Sequence, residues 1–319
     1  MKAVVCTGYG PPSVLQFRDV EKPTPRQGEL LVKVHASTVS AGVAWMRQGT
    51  IPDSKLLTLL LRLLFGFTKP RRPILGFEFS GIVQDVGKGV TRFGRGDEVY
   101  GTTTGLKNGA YAEYVCVPEK WKQGVIARKP EYLTFEAAAA LPIGGMTALQ
   151  LVKKAAVKPH QRILVYGASG SVGTYVTQLA TYFGGHVTGV CSTKNLALIK
   201  SLGANEVIDY TQTDMAQYET KFDVVIDAVG KLAPSARKSL LKKSGRFVSV
   251  RSLTDERTAY LDTLEAIAKA GKLRPIIDRV YPIAQIVEAN AYVDLGHKKG
   301  NVVVNDFPYL CEVPPSPRY

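Results

Sequence analysis

From Met1 to about Trp121, apolar and polar positions alternate in short runs broken by Gly and Pro. The runs 30–36, 81–86, 98–100 and 112–117 are separated by turn residues such as Gly94, Gly96-Asp97 and Asn108-Gly109. A period of two puts successive side chains on opposite faces, so each run predicts a strand. Several short strands at close spacing describe a β-rich, partly barrel-like unit. The pattern does not choose among barrels.

At Thr134 the pattern changes. An alanine-rich helix opens there, and Gly144-Gly145-Met146-Thr147 leads into a second helix over 148–156. From Arg162 onward strands at 163–166, 186–190, 206–209, 222–227 and 246–250 alternate with helices at 172–183, 196–202 and 235–241. That alternation predicts βαβ units, a doubly wound parallel sheet with helices on both faces. A last helix over 256–270 stops at Gly271, and β-like text returns at 301–304. The chain therefore reads as an α/β unit inserted in a β-rich one. The expected boundaries are 1–122 with 272–319 for the β-rich domain and 123–271 for the inserted domain. Two domains suit 319 residues.

Composition removes several classes. Hydrophobic residues make up 45% and charged residues 21%, which is ordinary for a folded globular chain. The net charge, 41 − 27 = +14, admits nucleic acid, a membrane surface or an anionic cofactor as partner. No five consecutive Lys or Arg residues occur, so a nucleic-acid arm has no local support. The most apolar run, 56–67, is broken by Arg62 and falls short of the ~20 residues a bilayer span needs. Met1-Lys2-Ala3-Val4-Val5 runs straight into β-like text without the apolar core of a secretory leader. The cysteines at 6, 116, 191 and 311 are scattered and form no C-x-x-C pair. Together these features predict a reduced, cytoplasmic protein.

The segment 55–77 has no acidic residue and carries Lys55, Arg62, Lys69, Arg71 and Arg72 among many leucines. It reads first as a core-packed helix over a cleft mouth. One wall of an apolar substrate pocket, or a membrane-surface or partner patch, are the alternatives.

The sharpest local signal is Gly167-Ala168-Ser169-Gly170-Ser171-Val172-Gly173 between a strand and a helix. That context is the one a dinucleotide-binding loop requires. Gly167 makes the tight turn, Gly170 admits the pyrophosphate, and Gly173 lets helix and strand pack closely. The helix start offers N–H groups and partial positive charge to phosphate. An NAD enzyme usually has Asp or Glu about 20 residues later for the ribose 2′-OH. Here the text reads Val190-Cys191-Ser192-Thr193-Lys194-Asn195, without a carboxylate. The hydroxyls of Ser192 and Thr193 with Lys194 suit a 2′-phosphate instead. NADPH is the expected cofactor.

These residues resemble the medium-chain dehydrogenase/reductase superfamily, in its zinc-independent quinone-oxidoreductase branch. The resemblance runs to about Val304 and rests on several stretches. They include Tyr9-Gly10-Pro11-Pro12, Gly76-Phe77-Glu78-Phe79-Ser80-Gly81, Gly96-Asp97-Glu98-Val99-Tyr100-Gly101, the loop from Gly167, and Leu202-Gly203-Ala204. It implies a Rossmann sheet inserted in a GroES-like, partly open barrel. It also implies Thr147 near the nicotinamide side, Ser192 and Lys194 on the 2′-phosphate, and Tyr210 beside it. Val229, Val250 and Arg251 follow later strands at the carboxyl edge, where ligands sit in such sheets.

Departures from the family bear on mechanism. Phe77 stands where zinc members carry a His ligand, 37–43 contains no Cys, and 81–130 contains only Cys116. Neither a catalytic nor a structural zinc set is present. Where the branch commonly has Asn and Asp facing the nicotinamide, this chain has Ser40 and Val43. Ser40 either hydrogen-bonds a substrate carbonyl or the cofactor, or is a buried serine satisfied by backbone. The implied activity is hydride transfer from NADPH to quinones or α,β-unsaturated carbonyls. The rivals are a zinc-type alcohol dehydrogenase and a non-catalytic NADPH-binding redox sensor. The resemblance further implies a homodimer through the last Rossmann strand, with Arg246 and Arg251 flanking that strand.

Overall fold

The computed structural model describes residues 1–51, 54–104, 108–121, 124–251 and 254–307. Ser252, Leu253, Cys311 and the Pro-rich tail beyond 307 lie outside the described residues, as do the expected boundary positions 122 and 123. The chain divides into two compact units, Met1–Pro142 with Ile277–Tyr319, and Ile143–Ile276.

The first unit contains β1 (Lys2–Cys6), β2 (Leu15–Asp19), β3 (Glu29–Thr38), α1 (Ala41–Gln48), α2 (Lys55–Phe65), β4 (Glu78–Val86) and β5 (Glu98–Thr102). β6 (Tyr114–Pro118), β7 (Ile126–Arg128) and α3 (Phe135–Ala140) follow. α4 (Pro142–Ala155) opens the second unit, which continues with β8 (Arg162–Tyr166), α5 (Ser171–Tyr182), β9 (His186–Cys191), α6 (Leu196–Ser201) and β10 (Glu206–Asp209). β11 (Phe222–Asp227), α7 (Pro234–Leu240), β12 (Leu241–Ser249) and α8 (Thr258–Lys269) complete it. The chain returns to the first unit with β13 (Ile277–Pro282), α9 (Ile286–Asp294) and β14 (Asn301–Asn305).

β3 organises the first unit. One of its edges pairs with β4; the other pairs with β6 through Glu29–Lys33 and with β14 at Ser37 and Thr38. The sheet path β13-β14-β3-β4-β5-β7 does not close on itself among the described residues. Pairing on both edges makes it a central strand, and Leu30, Val32, Val34 and Ala36 are fully shielded from water while Lys33 and His35 are only partly buried. α3 belongs to this unit for a steric reason. Its buried Ala139 and Ala140 pack with Ala36 and Val303, and small side chains let the helix lie close to the sheet. The unit therefore extends further along the chain than the change of pattern at Thr134 suggests.

The second unit holds a five-stranded sheet in the order β10-β9-β8-β11-β12, with every pair parallel. The strand order reverses direction between β8 and β11, and ligands of such sheets bind at that reversal, outside the carboxyl ends. Two boundaries differ from the sequence pattern. α4 starts at Pro142, because Pro is well placed in a first helical turn. β12 starts at Leu241, straight after α7.

α2 is a correction to the first reading of its segment. Leu61 is its only buried side chain, while the other leucines face outward.

Arg47 is the largest fully buried side chain among the described residues, and each of its three guanidinium nitrogens donates within the first unit. Its Nε donates to Asn290 Oδ1 at 3.3 Å, Nη2 donates to both Asp294 oxygens at 2.7 and 2.5 Å, and Nη1 donates to the Gly10 carbonyl. One guanidinium thus ties α1, α9 and the turn after β1. Removing it strands a carboxylate and a carbonyl. Arg47→Ala is expected to cost about 3 kcal/mol in urea unfolding, and a loss below about 1 kcal/mol would show the knot to be incidental.

Candidate cofactor and active site

The glycine loop leaves β8 in a left-handed turn: Gly167 has φ +76°, and a Cβ there would meet Val229 Cγ1 at 2.5 Å. The N–H groups of Gly167 and Ala168 donate to the Val190 carbonyl at 3.1 and 3.0 Å, tying the loop to β9. Gly173 lies directly over the loop, and a Cβ there would collide with the Gly167 carbonyl oxygen. Gly170 is different. A Cβ on it would meet nothing nearer than Gly167 O at 3.5 Å, so the protein's own packing does not require a glycine. Gly170 is also the N-cap of α5 and supplies no side-chain cap to the first turn, which follows Ser169 and begins with Ser171 and Val172. An open cradle at a helix start fits a pyrophosphate.

Of three more expected residues, Val229 meets this loop, while Val250 and Arg251 meet the loop that follows β11. The Asp227 carboxylate at the end of β11 accepts from the N–H groups of Val229, Gly230 and Leu232 at 3.2, 2.8 and 3.0 Å. Arg251 donates from Nε and Nη2 to the Gly230 carbonyl at 2.9 and 2.7 Å, and Val250 N–H donates to Asp227 O at 3.0 Å. The carboxyl ends of β8, β11 and β12 are thereby laced together around Val229, Val250 and Arg251. Thr147 sits on α4, nearly buried, with its hydroxyl on Ile143 O at 2.7 Å and on Thr254 Oγ1 at 2.6 Å.

Ser192, Thr193 and Lys194 form the turn after β9, with Thr193 and Lys194 exposed; Tyr210 follows β10 and is 48% exposed. Sequence reasoning missed Asp209. Its carboxylate accepts from the Thr193 hydroxyl, from Thr211 N at 2.9 Å and from Thr211 Oγ1 at 2.7 Å. The two threonine hydroxyls hold Asp209 below the usual carboxylate range. The signal lay in the parallel pairing of β10 with β9, which sets Asp209 beside Cys191 and cannot be read from spacing alone. Asp227 was equally hidden, although an Asp ending a strand three residues before a left-handed Gly230 is a recognisable loop former.

Ser40 lies in the first unit, where it caps α1: its Oγ accepts from Val43 N at 3.4 Å. Accepting that bond leaves its O–H as a donor. The Phe77 ring and Ser40 Oγ both lie within 3.8 Å of the Cβ position of Gly42. Nearby, Thr38 donates its hydroxyl to the buried Glu78 carboxylate, and Tyr111 OH donates to Thr38 O at 2.9 Å. Burial lowers the Lys298 amine to about 8 against the opposing pull of Glu78 and Asp278. A cavity of about 160 Å³ is lined by Met46, Leu64, Phe65, Pro70, Arg71, Arg72 and Asn108. No cluster of three His, Cys, Asp or Glu side chains suited to a metal occurs among the described residues.

Residues 26–130 match the alcohol dehydrogenase GroES-like domain family, and 171–277 match the zinc-binding dehydrogenase family. The chain is 33% identical to a 2-methylene-furan-3-one reductase of Solanum lycopersicum, over 97% of this chain and 80% of the relative. It belongs to the medium-chain dehydrogenase/reductase superfamily, in the quinone-oxidoreductase-like branch. An NADPH-dependent alkenal/one oxidoreductase of Arabidopsis thaliana, chloroplastic by name, is 31% identical over 97% of this chain and 80% of its own. The quinone oxidoreductase structure from Coxiella burnetii superposes with a TM-score of 0.83 at 30% identity, covering 96% of this chain and 99% of that one. Membership makes this chain an oxidoreductase with a nicotinamide cofactor.

Gly170 and Gly173 differ in what the protein's own packing demands of them. Gly170→Ala is expected to leave unfolding free energy within about 0.5 kcal/mol while weakening cofactor binding at least about tenfold. Gly173→Ala is expected to lose about 1–3 kcal/mol of stability, because helix and loop must separate. Denaturant titration and cofactor fluorescence on both variants check the pair; equal stability losses would remove the distinction.

Proposed function

We propose that this protein is an NADPH-dependent reductase that reduces quinones or α,β-unsaturated carbonyls without zinc. The observation that carries the reading is Phe77. An apolar ring beside Ser40 and Gly42 stands at the position the zinc members give to a His ligand. Oxidising an alcohol without a Lewis acid forfeits the main stabilisation of the developing oxyanion. Reducing a conjugated carbonyl asks less, since a bound reduced nicotinamide supplies the hydride. The residues present fit that cofactor: Gly167 to Gly173 for the pyrophosphate, with Val229, Val250 and Arg251 shaping the adjoining edge. Ser40 retains an O–H to donate to a substrate oxygen.

The preference for NADPH rests on the turn after β9. Ser192, Lys194 and Tyr210 offer two hydroxyls and a cation to a 2′-phosphate, and none of them repels it. The Asp209 carboxylate at the end of β10 is tied to this turn through the Thr193 hydroxyl, and its oxygens accept from Thr193 and Thr211. NADPH is expected to bind at least about tenfold more tightly than NADH, about 1.4 kcal/mol. Lys194→Ala should erode NADPH binding more than NADH binding in a fluorescence titration. NADPH oxidation with a panel of small quinones and enals, repeated after chelation, tests the reaction. Activity lost with chelation, or turnover of alcohols alone, would overturn it.

We also propose a homodimer through β12, which ends the sheet and pairs only with β11. An open edge invites pairing with a second copy. The flanking cations are engaged within the unit: Arg246 reaches Lys154 O at 3.3 Å and Arg251 the Gly230 carbonyl. Sedimentation equilibrium should give twice the 34.7 kDa chain mass, and a monomer at micromolar concentration would refute the pairing.

A further inference from the structure

α2 is amphipathic the wrong way round for a globular surface. At 100° per residue, Ser54, Thr58, Leu61, Arg62 and Phe65 share one face. That face turns toward the protein. Thr58 Oγ1 accepts from Ile51 N at 2.9 Å, Arg62 Nε donates to Gly49 O at 3.0 Å and its guanidinium lies over the Tyr9 ring, and Phe65 packs on the core. The opposite face carries Leu56, Leu57, Leu59, Leu60, Leu63 and Leu64, each between 45% and 67% exposed. Phe67, just beyond the helix, is 63% exposed. Soluble chains rarely leave so large a contiguous apolar surface without a partner.

The charges around this face identify the partner. Lys55 opens the helix, and Lys69, Arg71 and Arg72 follow it, all exposed, with no acidic residue between Lys55 and Phe77. An apolar helix face flanked by these four cations is complementary to an anionic lipid surface, with leucines among the acyl chains and cations at the headgroups. A bilayer span is excluded, since none of the described helices is long and apolar enough. We propose that α2 with the loop through Arg72 is an in-plane docking surface for an anionic phospholipid bilayer. Leu64, Phe65, Arg71 and Arg72 also line a cavity of the first unit, so docking would set that cavity at the lipid interface. The proposal does not depend on the reductase reading.

The test is flotation of the full chain with phosphatidylcholine vesicles and with vesicles that also contain phosphatidylglycerol. Binding to the anionic vesicles is expected to exceed neutral binding by about tenfold or more and to fall as salt is raised. Leu60→Glu/Leu63→Glu should abolish flotation while preserving the circular dichroism spectrum and the oxidation of NADPH by a water-soluble quinone. Lys55→Gln/Lys69→Gln alters only exposed cations and should weaken anionic binding about tenfold with folding intact. It keeps the test decisive if the leucine variant does not fold. Absence of flotation with anionic vesicles, or undiminished flotation of the lysine variant, would overturn the proposal. So would a native chain that ignores vesicles and sediments as a larger assembly that the leucine variant dissolves, which would make the partner a second copy.

Discussion

The Gly167 carbonyl oxygen governs the second unit. Gly173 passes over it with no room for a side chain, so the start of α5 is fixed relative to the end of β8. Val190 fixes the loop from the other side by accepting two successive N–H groups. The same tight approach recurs one strand away, where a Cβ on Gly189 would strike Ile199 of α6. Two helices are thus held close to neighbouring strands by the absence of carbon atoms. That closeness brings the helix start, the Ser192 turn and the Asp227 loop to the carboxyl end of one sheet. Packing of this kind orders the loop in advance, which lowers the cost of binding any ligand there.

The first unit solves the opposite problem. Several of its buried polar groups are bound in local sets: Arg47 among Asp294, Asn290 and Gly10, and Glu78 with Thr38 beneath Tyr111. Each set costs desolvation and returns specificity of contact rather than net stability. α2 follows the same logic at the surface. Thr58 and Arg62 turn inward because Ile51 and Gly49 present unpaired backbone groups there, and hydrogen bonding to those groups orients the helix. Once that face is committed, the leucines have nowhere to go but outward.

Much of this was legible in the sequence where the cause is local. The runs at 30–36 and 222–227 became β3 and β11 because alternating or continuous apolar text leaves few other options. The loop from Gly167 was legible because glycine is needed at Gly167 and Gly173 for reasons of backbone and contact. The orientation of α2 was not. Leucines at helical spacing normally point to a core, and only the tertiary position of Gly49 and Ile51 reverses the direction. β13 and α9 were also passed over, since the text at 277–294 mixes charged and apolar residues without strong period. Asp209 and Asp227 act through a neighbouring strand and a folded-back loop, and neither relation is a spacing.

The replacements at Ser40, Val43 and Phe77 belong to one physical change. Val43 stands where the branch commonly has an Asp and Phe77 where zinc members have a His ligand, so a charge and a strong ligand give way to apolar side chains, and Ser40 is a shorter polar side chain than Asn. An apolar lining there weakens the grip on a small polar alcohol, whose hydroxyl would lose water and gain one serine. It favours a substrate that is itself apolar and already electrophilic, needing a hydride and a single hydrogen bond. A quinone or a conjugated carbonyl has that character.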